Sequence, residues 1–175
     1  GAALGVMAGV GVGALVGLVN GLIVTKLDVN PFIATLGTMV LFRGVTFLVT
    51  DGQPVMGDEG LPEIFLALAL ERFLGLPYLV WLPIAVLIVF SWLLHHTAYG
   101  LRVFATGGNK EAAYLAGISV DRVKASTYVW CGTLAGLGGV MLASRVQSGQ
   151  PTAGQFYELT AIAAVVLGGA SLYGG

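Results

Sequence analysis

The chain consists of long apolar stretches separated by polar connections, and this pattern limits its possible folds to a few. Of its 175 residues, 57% are hydrophobic and only 10% are charged, and the mean hydropathy is +0.90. A soluble domain has no use for that much apolar surface, whereas about 20 apolar residues suffice to cross the roughly 30 Å hydrocarbon core of a bilayer. Because backbone polar groups in lipid must pair within their own segment, the stretches are predicted to be helices. We therefore expect an all-α, polytopic transmembrane helical bundle.

About five such segments are present, and the last one is broken. The first four lie at about 2–24, 32–49, 78–94 and 126–144, and the fifth begins near Leu159. Glycine pairs at 168–169 and 174–175 interrupt the fifth segment. Interrupted helices at membrane depth mark binding sites in transporters, but a packing helix that ends near Gly168 explains the pattern equally well. Both termini look internal to a fold, so we expect a fragment of a longer membrane protein.

The charges of the connections predict the orientation in the membrane. The 50–77 connection carries five acidic residues against Arg72 alone, whereas the 95–124 connection carries four basic residues. Since Lys and Arg accumulate on the cytoplasmic side, 50–77 is predicted to be an external loop and 105–124 a cytoplasmic one. Lys26 is then cytoplasmic, as alternation requires. Within the external loop, 61–73 could form a short helix that lies at the interface or dips back into the membrane, because about 12 residues are too few to span a bilayer.

A glycine recurs at every fourth position of the first segment. Small residues at this spacing let helix backbones approach closely in membranes, and the same spacing recurs at Gly132 and Gly136. A helix-packing role is therefore expected for Gly5, Gly9, Gly13, Gly17 and Gly21. A transporter with sliding helices would use the same surface, so the pattern does not distinguish between functions.

Four polar residues fall inside the apolar segments, and we treat them as candidates for a translocation path: Asn20, Thr35, Thr38 and Arg43. Thr35 and Thr38 are three positions apart and so share a helix face. A charge such as Arg43 is costly in the membrane unless it snorkels to the headgroups, pairs with a carbonyl or carboxylate, or lines a polar pathway. Hydrogen bonding between helices is the simpler alternative for the amide and the hydroxyls.

Capping residues mark where helices begin and end. Asn30 followed by Pro31 predicts the start of the second segment, because an Asn side chain caps the first turn and proline needs no amide partner there. Asn109 predicts a short cytoplasmic helix over 110–116, and Gly117 suits the left-handed position that ends it. A plain turn needs no capped helix, so we interpret this one as a surface for another protein. A solvated turn is the alternative.

The chain carries no sequence signature of catalysis, metal binding or nucleotide binding. The pattern Gly-x4-Gly-Lys-Ser/Thr is absent, so ATP is not expected to bind through that motif. The adjacent His95 and His96 point to different sides of a helix and make a poor metal pair. Cys131 is the only cysteine, and a net charge of −1 gives no indication of a nucleic-acid partner. We predict a protein that is not an enzyme and has no catalytic residue, metal or cofactor of its own.

The cytoplasmic helix resembles the coupling loop of ABC-importer permeases. The run Glu111-Ala112-Ala113 followed by Gly117 matches the Glu-Ala-Ala-x3-Gly core of their motif, although no Leu-Pro pair follows. The stretches 30–39, 43–44, 52–54 and 157–171 resemble the ribose/xylose-type sugar permeases of that superfamily. The resemblance assigns coupling to the ATPase to these residues: Asn109, Lys110, Glu111, Ala112, Ala113, Gly117 and Ile118.

The resemblance also implies partners and a location. The whole of 1–175 would be one permease domain, in a multi-pass protein of the cytoplasmic membrane of a prokaryote. A second permease copy, identical or not, would complete the dimer. A separate ABC ATPase subunit would bind ATP and Mg²⁺, and a periplasmic or lipid-anchored binding protein would deliver a ribose- or xylose-type sugar.

Two other functions remain as alternatives at this point. A permease for branched-chain amino acids belongs to the same superfamily. An ion-coupled secondary transporter should place carboxylates in the membrane, yet none of the five segments has one in its interior.

Overall fold

Helices account for most of the structure, a computed structural model that describes residues 2–56, 71–73 and 75–170. Its elements in chain order are α1 (Ala2–Lys26), α2 (Pro31–Thr50), β1 (Arg72–Phe73), β2 (Leu76–Pro77), α3 (Tyr78–His96), α4 (Ala98–Gly108), α5 (Lys110–Leu115), α6 (Val120–Val146) and α7 (Tyr157–Leu167). Four of the described helices, α1, α2, α3 and α6, are long and apolar enough to cross a membrane. The predicted all-α, polytopic helical architecture is confirmed.

The fifth predicted segment is a shorter helix in the part that the structure describes. Helix α7 begins at Tyr157 and ends at Leu167, which is 11 residues. Gly168 caps it, and Gly169 takes a left-handed conformation with φ 88°. The helix therefore ends at the first glycine pair, 168–169, and the second pair at 174–175 lies outside the described residues.

The predicted start of α2 is confirmed. The Asn30 side chain accepts a hydrogen bond from the backbone amide of Phe32 at 3.0 Å, and Pro31 occupies the first helical position. At the other end Asp51 takes a left-handed conformation with φ 49°, and its amide donates to the carbonyl of Phe47. These caps satisfy backbone groups that a helix end leaves unpaired.

Helix α4 was missed by the sequence analysis, which treated 95–124 as a connection with one short helix. Thr97 caps it by accepting a hydrogen bond from the Gly100 amide at 3.3 Å. Gly100 packs on the preceding turn so closely that an added Cβ would lie 2.6 Å from the Leu94 Cα atom. Residues 105–108 of the predicted cytoplasmic loop therefore belong to the end of this helix. The helix was hard to predict because its 11 residues are too few to span a bilayer and follow the third apolar segment almost directly.

The helix predicted over 61–73 is wrong at its C-terminal end, where Arg72–Phe73 is a strand. Residues 61–70 lie outside the described residues. Arg72–Phe73 pairs as an antiparallel strand with Leu76–Pro77. Gly75, at φ 82°, supplies the left-handed conformation that the turn between them needs. The ring of Trp81 holds the hairpin, since its Nε1 donates to the Phe73 carbonyl at 3.0 Å and the two ring centroids are 5.9 Å apart.

The described residues group into two compact units. One comprises Gly1–Ala85 with Ala125–Ala153, and the other comprises Val86–Lys124 with Gly154–Gly175. The first unit contains α1, α2 and most of α6. The second contains α4, α5 and α7.

In the first unit, α1 packs on α6 through glycine. A Cβ added at Gly13 would lie 2.9 Å from the Gly136 Cα atom, and one at Gly17 would lie 3.0 Å from the Val129 Cα atom. At Gly21 the nearest atom would be the Ala125 Cα, also at 3.0 Å. Any side chain at these positions would therefore meet backbone, which cannot move aside. The role of the repeated glycines in packing stays a prediction, and this geometry supports it.

Replacing Gly17 with alanine should destabilise the protein, whereas the same change at Gly11 should not. The new methyl group at Gly17 would overlap the backbone of Tyr128 and Val129, and overpacking of this kind costs about 1–3 kcal/mol. Gly11 has nothing within 4 Å of the added Cβ, and alanine is the better helix former by about 1 kcal/mol. Thermal unfolding of the purified full-length protein in detergent measures both variants. Equal midpoints for the two would contradict the packing role.

Candidate functional site

A polar groove lies along one face of α2 in the first unit. It has a volume of about 460 Å³, within the range of about 300–1,000 Å³ that ligand pockets have. Its lining consists of Val16 and Asn20 from α1, of Thr35, Thr38, Met39, Phe42, Arg43 and Thr46 from α2, and of Gln150, Pro151 and Ala153 from the connection after α6. We call this site the polar groove.

The spacing of the α2 residues places them on one face. From Thr35 the lining positions follow at 3, 4, 7, 8 and 11 residues further on, which is the repeat of a helix face. Eleven residues rise by about 16 Å, roughly half of the hydrocarbon core of a bilayer. The polar groove is therefore elongated along the helix axis.

The four polar residues predicted for a translocation path, which are Asn20, Thr35, Thr38 and Arg43, all line the polar groove. Thr38 Oγ1 donates to Asn20 Oδ1 at 2.6 Å, which joins α2 to α1. Thr35 Oγ1 instead donates within its own helix, to the Pro31 carbonyl at 2.9 Å. The structure thus brings the four residues together, while their role in translocation stays a prediction.

Arg43 is half-buried and is one of the residues that line the groove. In the part of the chain that the structure describes, no carboxylate or carbonyl pairs with it. The sequence left three interpretations of Arg43: snorkelling, pairing with a carbonyl or carboxylate, and lining a polar pathway. No pairing partner is present among the described residues. The position of Arg43 in the polar groove favours the polar pathway over snorkelling.

Seven of the 11 lining residues were not among the predicted candidates, and three of them are polar or aromatic. Phe42 and Thr46 continue the face that Thr35 begins, so extending the helical spacing would have found them. Gln150 is separated from α2 by 100 residues, and nothing in the sequence indicates its position. It reaches the groove because Val55 and Gly149 form an isolated antiparallel bridge, with backbone N···O distances of 2.8 and 2.9 Å.

The second unit presents a different surface on α5. Asn109 caps this helix by accepting from the Ala112 amide at 3.0 Å, and Gly117 ends it with φ 83°. The amide of Ile118 donates to the Ala113 carbonyl at 3.0 Å, which closes the last turn. Both predicted caps are confirmed, and the helix ends at Leu115, one residue earlier than predicted.

The exposed side of α5 combines charge with large apolar side chains. A shallow concavity of about 410 Å³ is lined by Lys110, Glu111, Tyr114, Leu115 and Val120, and we call this set the α5 surface. Tyr114 is 73% exposed and Leu115 is 85% exposed. Exposed apolar residues that adjoin charged ones mark sites of protein association.

The α5 surface corrects one detail of the coupling prediction and adds to it. Ala113 is only 4% exposed, so it packs inward and cannot belong to a docking face. Tyr114 and Leu115 were not among the predicted coupling residues. Their spacing of three and four from Glu111 was the available signal, because such residues share a helix face.

Chemistry other than binding finds no support at either surface. Among the described residues, no group of three or more His, Cys, Asp or Glu residues is placed to hold a metal ion. The only ionisable residue that lines the polar groove in the described part is Arg43. The arrangement offers hydrogen bonds and one positive charge.

Comparison with known proteins gives the family. The model of the family described as "Branched-chain amino acid transport system / permease component" matches residues 2–175, and the chain belongs to this family. No solved structure matches the chain.

Curated relatives of the chain include permeases for two sugars. The chain is 46% identical to the ribose import permease protein of Escherichia coli (strain K12) over 175 residues, which cover 99% of this chain and 54% of that protein. It is 49% identical to the ribose import permease protein of Bacillus subtilis (strain 168) over 156 residues, 89% of this chain and 48% of the relative. The L-arabinose transport system permease protein of Escherichia coli (strain K12) is 45% identical over 172 residues, 98% of this chain and 52% of the relative. The chain spans about half the length of the curated relatives it matches.

Replacing Thr38 with valine should loosen α2 from α1. The change removes the 2.6 Å hydrogen bond to Asn20, and bonds between membrane helices contribute about 0.6 kcal/mol on average and up to about 1.7 kcal/mol. Thr46→Val is the matched control, because its hydroxyl donates to Phe42 in its own helix at 2.9 Å. Unfolding of the full-length protein in detergent should show a loss for the Thr38 variant alone. A double variant with Asn20→Ala should then add little further loss.

Proposed function

We propose that the chain forms part of the membrane permease of an ATP-driven importer for a ribose- or xylose-type monosaccharide. The observation that carries the proposal is the 46% identity to a ribose import permease over 99% of the chain. The similarity to an arabinose permease over 98% of the chain agrees with it. Four membrane-length helices in the described residues fit a multi-pass protein, and the importer family implies the cytoplasmic membrane of a prokaryote.

The polar groove is the proposed path for the sugar. Its amide and hydroxyl groups offer donors and acceptors for the hydroxyls of a neutral sugar. Phe42 offers an apolar surface of the kind that covers the carbon–hydrogen face of a ring. The length of the groove, about 16 Å along α2, matches a passage along the helix better than a closed pocket. In this proposal Asn20, Thr35, Thr38 and Arg43 are the contacting residues.

The α5 surface is the proposed docking site of a separate ABC ATPase subunit. That subunit would bind ATP and Mg²⁺, because this chain has no phosphate-binding loop. Glu111, Tyr114 and Leu115 would make the contact. Asn109 and Gly117 would hold α5 as a rigid body, so that movement of the ATPase is transmitted to the permease.

Two further partners complete the proposed complex. A second permease copy would form the other half of the membrane domain. A periplasmic or lipid-anchored binding protein would deliver the sugar at the external end.

The alternatives are less well supported. The family description includes branched-chain amino acids, but the relatives at 45–49% identity named above are ribose and arabinose permeases. For an ion-coupled transporter, a carboxylate at the groove would be expected, and none lines it among the described residues.

The proposed function predicts a specific response of the intact complex to its solute. ATP hydrolysis by the full permease with its ATPase, reconstituted in liposomes, should rise several-fold when a ribose- or arabinose-loaded binding protein is added. The same binding protein offered leucine should give no rise. Stimulation by leucine and not by the sugars would move the assignment to the amino-acid permeases, and no stimulation by any of them would contradict an importer.

Truncating Leu115 should weaken ATPase binding. The variant Leu115→Ala removes an 85% exposed side chain from the α5 surface, and losing a central apolar contact costs on the order of 2 kcal/mol in binding. ATPase co-purification with the tagged full-length permease should fall by more than tenfold at that cost. Leu101→Ala is the matched control, because Leu101 is also exposed, at 71%, but lies on α4 outside the α5 surface. Unchanged co-purification for both variants would rule out docking through Leu115.

A further inference from the structure

The electrostatic character of the polar groove depends on one side chain. Of the 11 lining residues, Arg43 alone is charged. The other polar lining groups in the described part are the hydroxyls of three threonines and the amides of Asn20 and Gln150. The groove therefore has a positive field without a carboxylate to cancel it.

The guanidinium of Arg43 is not neutralised elsewhere in the described part of the chain. The two hydroxyls nearest to it along the α2 face, Thr46 and Thr38, donate to the Phe42 carbonyl at 2.9 Å and to Asn20 at 2.6 Å. These hydroxyl protons are therefore already engaged, and the N–H groups of Arg43 and of the Asn20 amide are the donors that a solute would meet. A charge in a half-buried position of low dielectric acts much more strongly on neighbouring charges than one in water.

Arg43 also lies where a passing solute must meet it. It stands seven residues before Thr50, the last residue of α2, which is about 10 Å along the axis. Lining residues of α2 continue on both sides of it, towards Thr46 and towards Thr35. A solute that travels along this face therefore passes the guanidinium.

We propose that Arg43 is a charge filter, which admits a neutral polyhydroxylated solute and excludes cations. The guanidinium donates hydrogen bonds to hydroxyl oxygens of the sugar through its five N–H groups. The same charge repels Na⁺ and protonated water, as arginines do in other selective pores. An importer that opens a path across an energised membrane needs such a barrier, because a leak of cations would dissipate the gradient. The inference rests on the polar groove being the sugar path proposed above.

The test uses the full-length permease with its ATPase and binding protein in liposomes loaded with pH- and sodium-sensitive dyes. Proton and sodium entry is measured during ATP-driven turnover, and uptake of radiolabelled ribose or arabinose is measured in parallel. Arg43→Gln should raise cation entry on the order of tenfold during turnover, because a unit charge in a partly desolvated site is lost. Sugar uptake should fall as well, because Arg43 is one of the proposed sugar contacts and glutamine has two N–H donors where arginine has five. The entry of cations, and not the uptake of sugar, is therefore the measurement that tests the filter.

Three further variants separate charge from structure. Arg43→Lys keeps the charge and should stay as tight to cations as the wild type. Arg43→Met removes the charge with a side chain of similar length and should leak like Arg43→Gln, which covers the case that one neutral variant does not fold. Arg145→Gln removes an exposed positive charge from the last turn of α6, outside the groove lining, and should not leak.

Each result bears on one of the two proposals. Three results would overturn the charge filter and leave the importer in place. The first is cation entry in Arg43→Lys equal to that in Arg43→Gln. The others are no increase in cation entry in Arg43→Gln and Arg43→Met, and loss of sugar uptake in these variants without an increase in cation entry. A wild-type complex that imports neither sugar with ATP would overturn the importer, and the filter with it.

Discussion

The close approach of α1 and α6 at their glycines is the contact on which the polar groove depends. Helices in lipid gain little from burying apolar surface against each other, so their association relies on close packing and hydrogen bonds. Gly13 and Gly17 provide the packing, because their missing side chains let α1 lie against the backbone of α6 near Gly136 and Val129. The position of α1 then determines where Asn20 stands, and Asn20 accepts from Thr38 on α2. One glycine-lined contact therefore sets the distance between the walls of the groove.

Threonine hydroxyls of the groove have hydrogen-bond partners within the protein and need no bound solute to satisfy them. The hydroxyls of Thr35 and Thr46 each donate to a carbonyl of their own helix at 2.9 Å. Such bonds remove the cost of leaving a polar group unpaired in a membrane. They also weaken the attraction for a solute, because a bond to the sugar must replace one already made. Weak and repeated contacts of this kind are consistent with the proposal that the groove is a path rather than a site that retains its ligand.

A six-residue helix such as α5 is not stable by itself in water. Its conformation comes from its ends and from one buried side chain. The Asn109 side chain satisfies an amide at the start, Gly117 permits the left-handed turn at the end, and Ala113 is buried at 4% exposure. The charged and apolar residues on the opposite side are thereby held in a fixed arrangement. This fixed arrangement is what the proposed docking of an ATPase subunit would require.

The four membrane-length helices, the start of α2 and both ends of α5 could be predicted from the sequence, because apolar length, Asn-Pro at 30–31, Asn109 and Gly117 act through local physics. The sequence also identified the four polar residues of the groove, since polar side chains stand out in apolar segments. Helix α4 and the hairpin at 72–77 escaped prediction, because both are short and lie in stretches that were treated as connections. Only the tertiary structure decided that Asn20 meets Thr38 and that Gln150 reaches the groove. These contacts depend on how closely α1 approaches α6 and on the bridge between Val55 and Gly149, and such distances between remote segments have no counterpart in local sequence.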